Sequence, residues 1–210
     1  MNRIITIGCS HTYGDTLDDN WDFEKNETVK NFPSKLSWAT ILGKKMGMES
    51  VNLSLSGASN YSIQQKLVTT TLKKTDIVFI LWTYPDRIHF FRDEIGKHIF
   101  INSWSDTNIA KLWYENFHFD YDNYLKNTLI INQTDSFLKN KVQKCYHMIV
   151  EESMIRLFDN NIHKIPILSS KFENILNSNP KANDNWHMGK QGHELFSEEI
   201  IKSIGDIKII

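Results

Sequence analysis

Two cysteines in 210 residues, Cys9 and Cys145, are too few for a disulfide framework, and a reducing compartment is expected. Four prolines and nine glycines leave no collagen-like, linker-like or low-complexity tract. Neither sign of charge is in excess. The 24 Lys and Arg residues stand against 25 Asp and Glu, and a net charge of −1 gives no reason to expect binding to nucleic acid or to a membrane surface. No apolar run approaches the roughly 20 residues of a membrane span. The start of the chain lacks the apolar stretch and small-residue cleavage site of a signal peptide, so a cytoplasmic location is expected. A P-loop is missing too, because five residues separate Gly8 from Gly14 and Asp15 stands where the lysine is required. The serine elbow flanked by two glycines fails at Thr12.

What is present reads as one α/β domain, residues 1–210, with no internal repeat and no clean boundary. Arg3 to Ile7 is a short apolar, β-branched run that breaks at Gly8 into Cys9-Ser10-His11-Thr12, the pattern of a buried strand followed by a turn. A polar, acidic loop to about Ser37 follows, then a helix from Ser37 to Gly47 with Trp38, Ile41, Leu42 and Met46 on one face. A second strand is expected over Val51–Leu55, a helix over Tyr61–Lys74 and a third strand over Asp76–Trp82. Strands alternating with helices imply a parallel sheet, here of four or five strands, with right-handed crossovers.

From 86 to 135 the chain is crowded with aromatics. It is expected to be an insertion with one helix near Thr107–Phe117 and irregular chain elsewhere, a satellite core rather than a substrate platform. A helix over Ser136–Phe158, a fourth strand within Ile162–Leu168, a polar loop over Ser169–Asn183 and a last helix over Gly189–Ile204 complete the reading.

Asp184-Asn185-Trp186-His187 lies just before that last helix. A nucleophilic serine needs a general base, and the base needs a group that fixes its tautomer and stabilises the imidazolium. An Asp three residues ahead of a His supplies both from one rigid turn.

At these residues the chain resembles the SGNH/GDSL hydrolase family. Ile7-Gly8-Cys9-Ser10-His11-Thr12 is similar to its first block. Asn52 to Asn60, centred on Ser56-Gly57-Ala58, is similar to the second, and Asp184 to His187 with the following Met188–His193 is similar to the last. The resemblance implies a three-layer, flavodoxin-like fold and a triad of Ser10, His187 and Asp184. It also implies an oxyanion site built on the N–H groups of Ser10 and Gly57, with Asn60 in the same block, and needs neither metal nor cofactor. The substrate it implies is a small ester, with an acetyl group on a carbohydrate as the expected case.

One block departs from the pattern. The family's Gly-x-Asn-Asp after the third strand is replaced by Trp82-Thr83-Tyr84-Pro85-Asp86-Arg87. Thr83 or Arg87 then stands as the replacement donor, or Arg87 is a surface residue paired with Asp86 or Asp93. The alternative to an esterase is a catalytically silent binding or structural protein of the same fold.

Overall fold

The computed structural model describes residues 2–29, 32–91, 98–103, 105–159 and 167–206. Its centre is a five-stranded, all-parallel sheet. In chain order the main elements are β1 (Arg3–Ile7), α1 (Ser10–Tyr13), α2 (Trp38–Lys45), β2 (Glu49–Asn52), α3 (Asn60–Thr69) and β3 (Ile77–Trp82). A hairpin of β4 (Ile88–Phe91) and β5 (His98–Ile101) comes next, then α4 (Asn108–Asn116), α5 (Asp120–Leu138), β6 (Lys144–Ile149), β7 (Ile167–Ser169), α6 (Phe172–Ser178) and α7 (Lys190–Asp206).

The strands lie in the order β2-β1-β3-β6-β7, with Ile5 between Val51 and Val78. This is the flavodoxin-type order. The chain first steps from β1 to β2 and then returns across β1 to β3. Right-handed crossovers therefore put α2 and α3 on opposite faces. On one face α2 packs with α7, and on the other α3 packs with α5. The reversal leaves a crevice between the carboxyl ends of β1 and β3, where ligands bind in such sheets.

β1 and β3 are apolar because both faces are covered. Ile4, Ile5, Ile7, Val78, Phe79, Ile80, Leu81 and Trp82 are all buried. Beneath α7, Phe196 meets Trp38 edge-on at 5.5 Å and Phe172 at 5.0 Å. Each such aromatic contributes about 1.5–3 kcal/mol by leaving water. At the opposite end of the sheet from the crevice, Arg3 makes two hydrogen bonds to buried Asp76, at 2.9 and 2.8 Å.

The sequence reading needs correction on the far side of the sheet. The helix expected over Ser136–Phe158 is the end of α5 followed by strand β6. Phe137 lies on the former and Tyr146 and Ile149 on the latter, so their near-helical spacing joins two elements. The segment 86–135 is also more regular than expected, with the β4–β5 hairpin and the 19-residue α5. α5 shows no apolar stripe because its buried face includes Asn127 and Thr134. Asn127 donates to Pro85 O at 2.9 Å, and Thr134 to Ile130 O at 2.7 Å. Phe90, Trp113 and Phe117 form a small aromatic cluster with centroids 5.3 and 5.6 Å apart. The polar loop expected over Ser169–Asn183 contains α6. Of the fourth strand, Ile167 and Leu168 are in β7 and the earlier residues lie outside those described, as does Asp93. Among the described residues no helix is long and apolar enough to cross a membrane.

Candidate active site

The chain leaves β1 through Gly8, where a Cβ would lie 2.2 Å from Thr12 Oγ1 and 2.9 Å from Leu81 O. Only glycine lets α1 tuck so closely against β3. α1 is a single turn, closed by Gly14 at φ 78°, whose N–H returns to Ser10 O at 2.9 Å. Ser10 thus begins a helix, where the first N–H groups have no partner within the helix. It is only 4% exposed, so little beyond a small group can reach its hydroxyl.

The segment after β2 forms the next wall. Asn52 Nδ2 donates to Thr12 O at 2.8 Å and Leu55 N to Gly8 O at 3.3 Å. Ala58 N then donates to Leu55 O at 3.2 Å, closing a turn with Gly57 in the left-handed region at φ 73°. The Ser56 hydroxyl donates to the Asp15 carboxylate. These bonds hold the Gly57 turn against the one that carries Ser10.

Beyond β3 the geometry shows what Asn60 does. Its Oδ1 accepts from Thr83 N at 2.8 Å, and its Nδ2 donates to Thr83 O at 3.0 Å and Asn127 Oδ1 at 2.8 Å. The amide is committed to fixing the end of β3, and none of it is turned to the crevice. Asn60→Ala strips partners from three buried groups and is expected to lower stability by about 2–4 kcal/mol, read from the urea midpoint. A midpoint within experimental error of wild type would remove this role. Thr83 itself is buried, and its Oγ1 has no partner among the described residues. Arg87 is not a surface residue, since only 9% of it is exposed. Its guanidinium lies over the Tyr84 ring at 5.0 Å, and Nη1 points to Ala58 O at 3.5 Å.

The last wall is the loop before α7. His187 Nδ1 donates to Asp184 Oδ2 at 2.5 Å, while the N–H groups of Trp186 and His187 each donate to Asp184 Oδ1 at 3.0 Å. Burial alone raises the Asp184 carboxyl. The hydrogen bonds from the His187 ring and from the two backbone N–H groups outweigh it and hold the group well below the usual carboxylate range. A short antiparallel bridge between Lys181 and Met188 closes the base of the loop, and a Cβ on Gly189 would lie 2.5 Å from Pro180 O. The loop reaches the serine turn directly, because the His187 ring lies 5.0 Å from that of His11, the residue after Ser10.

Ser10, Gly57, Thr83, Arg87, Asp184 and His187 therefore all stand around the β1–β3 crevice, whereas the Asn60 amide is turned away. Four contributors were not read from the sequence. Thr16 is β-branched yet has φ 65°, and its carbonyl accepts from Asn183 N at 3.3 Å and Nδ2 at 2.7 Å. That pair of bonds docks the Asp184 loop on a strained residue, a cost of about 1–3 kcal/mol met by the surrounding structure. Trp186 is 80% exposed beside His187, and His11 is buried under the same loop. Only the exposed tryptophan carried a signal, as a large aromatic in a polar segment. His193, on α7, caps α2 by accepting from Trp38 N at 3.0 Å, and burial followed by the charge of His187 pushes it down to about 3.

A second His–Asp pair lies under the other face of the sheet, where His147 Nδ1 accepts from Trp82 Nε1 at 3.0 Å. Asp135 at 3.3 Å and Cys145 Sγ at 3.5 Å both meet its Nε2. A triad needs its acid and its nucleophile on different nitrogens, and burial pushes the Cys145 thiol up. This cluster is structural.

The sequence matches no family model and no curated protein. Solved structures do resemble it. An acetyl xylan esterase from the rumen bacterium Butyrivibrio proteoclasticus matches with TM-score 0.59 and 11% identity over 98% of this chain and 64% of its own. An acetylxylan esterase from Geobacillus stearothermophilus, a catalytic mutant, gives 0.55 and 14% over 97% and 94%. A member of the lipolytic G-D-S-L family from Veillonella parvula gives 0.51 and 11% over 96% and 97%. At these identities the likeness lies in the fold, a layered α/β architecture that this chain shares with carbohydrate esterases and a G-D-S-L protein.

Proposed function

We propose that the chain is a serine hydrolase that removes a small acyl group, an acetyl ester of a carbohydrate. The observation that carries this reading is the 2.5 Å pair of His187 and Asp184, seated against the residue that follows Ser10. Ser10 Oγ attacks the ester carbonyl and His187 takes its proton, with Asp184 holding the ring and balancing the imidazolium. The N–H groups of Ser10 and Gly57 receive the oxyanion. Arg87 keeps the end of β3 positive in place of a third-block asparagine, and Thr83 offers the remaining hydroxyl. The proton returns from His187 to the leaving alcohol, and water repeats the cycle on the acyl-enzyme. No metal or cofactor enters.

Two features favour the acetyl-carbohydrate assignment. The near-closed surroundings of Ser10 suit a small acyl group. Trp186, exposed beside His187, offers an indole face to a sugar ring. The architecture shared with acetylxylan esterases agrees with both. The silent alternative draws on the missing asparagine. A fluorophosphonate probe separates the two, since an activated Ser10 displaces fluoride and carries the phosphonyl group. Labelling is expected on the peptide containing Ser10 in wild type and not in His187→Ala. An unlabelled wild type would favour the silent protein.

A further inference from the structure

We infer that His11 is a specificity residue of this site, donating a hydrogen bond from Nε2 to an oxygen on the alcohol side of the ester. The inference rests on the hydrolase reading above and deepens it. His11 is the first residue after Ser10 and only 5% exposed. Its ring is packed against Phe172 with centroids 5.0 Å apart, Tyr84 at 6.4 Å and His187 at 5.0 Å. It therefore fills the space between the general base and the end of β3.

Nδ1 is fully enclosed and has no hydrogen-bond partner among the described residues. A proton there would be an orphaned buried donor, so the neutral ring carries its proton on Nε2, the nitrogen left to reach a ligand. Burial above all, reinforced by the Arg87 guanidinium, holds the ring well below its ordinary range, against the opposing pull of Asp184. An imidazole held in its neutral form is an N–H donor, not a second base.

Its position decides what it meets. In acyl transfer the protonated base must reach the leaving oxygen, so whatever packs against the His187 ring stands beside the leaving alcohol. A carbohydrate places hydroxyl or ring oxygens one or two bonds from the esterified carbon, and those are acceptors for Nε2–H. A phenol has none there. A buried donor left without its partner rejects such an analogue more strongly than lost contact area does.

The test compares kcat/KM for a monoacetylated methyl glycoside with that for 4-nitrophenyl acetate in wild type, His11→Phe and His11→Gln. Phenylalanine keeps the ring packing without the donor, and glutamine restores a donor near the Nε2 position. The glycoside-to-phenyl ratio is expected to fall about tenfold in His11→Phe and to recover to within about twofold in His11→Gln. An unchanged ratio in His11→Phe overturns the proposal, as does a ratio that glutamine fails to restore. Nitrogen-15 NMR gives a readout independent of turnover. His11 is expected to remain neutral with its proton on Nε2 between about pH 5 and pH 8, and a ring that titrates in that range or carries its proton on Nδ1 overturns it. Wild type inert on both esters would instead defeat the hydrolase reading and the substrate role with it, whereas an active wild type with an unmoved ratio defeats His11 alone.

Discussion

Alanine at Ser10, at His187 or at both should leave the same residual rate of acetyl-ester hydrolysis, at least about 10⁴-fold below wild type. The equality matters more than the size. Ser10 is a weak nucleophile until a base removes its proton, and His187 has nothing to deprotonate once the hydroxyl is gone. The two act as one unit, so the second deletion costs nothing further. What remains comes from the N–H groups of Ser10 and Gly57, which the substitutions leave in place, and from substrate binding. The loss should not be a folding effect. No hydrogen bond to the Ser10 hydroxyl holds the fold among the described residues, so the urea midpoint of Ser10→Ala should move by less than about 0.5 kcal/mol equivalent. Kinetics on a soluble acetyl ester with all three variants decide it. Losses that add on a logarithmic scale would mean that the two side chains do not share a step.

How much of this was legible in the sequence depended on where each residue finds its partners. β1 and β3 read clearly because their cover on both faces is apolar, so burial is written into Ile4, Ile5 and Ile7 and into Val78 to Trp82. β6 was hidden. Lys144, Cys145, Tyr146 and His147 do not form an apolar run, and His147 is buried only because Trp82 and Asp135 satisfy its ring from other elements. α5 was hidden for the same reason, with Asn127 acceptable inside only as the partner of Asn60 and Pro85. The pairing of Asp184 with His187 is local, three residues within one turn, and so could be read from spacing. The environment of His11 comes from Tyr84, Phe172 and His187, more than 70 positions away in each case, and no local pattern announces it. The committed amide of Asn60 is equally long-range. An asparagine in a second-block position looks free to bind until β3 and α5 are placed beside it.

Asp184→Asn should lower kcat by about 10³–10⁴-fold while changing KM only a few-fold. The carboxylate accepts from His187 Nδ1 at 2.5 Å and from two backbone N–H groups at 3.0 Å. An amide keeps the shape of that turn, but its oxygen must serve the backbone donors. Its NH2 group then faces Nδ1 and drives the imidazole proton to Nε2, the nitrogen that has to receive the proton of Ser10. The base is present in the wrong tautomer and without a negative partner for its charged form. Stability carries the complementary signature, and its sign follows from the direction of the shift. The folded state holds Asp184 below the ordinary carboxylate range, although burial alone acts the other way. Its contribution is therefore complete above the unfolded value of about 4 and disappears as pH falls through the lower folded value. The Tm difference between wild type and Asp184→Asn should be constant near neutrality and shrink below about pH 4. In wild type the carboxylate stays ionised through the ordinary carboxylate range, so an acid limb in the rate profile does not come from Asp184. A Tm difference that widens toward acid, or a kcat within tenfold of wild type, would mean that Asp184 shapes the loop without supporting the base.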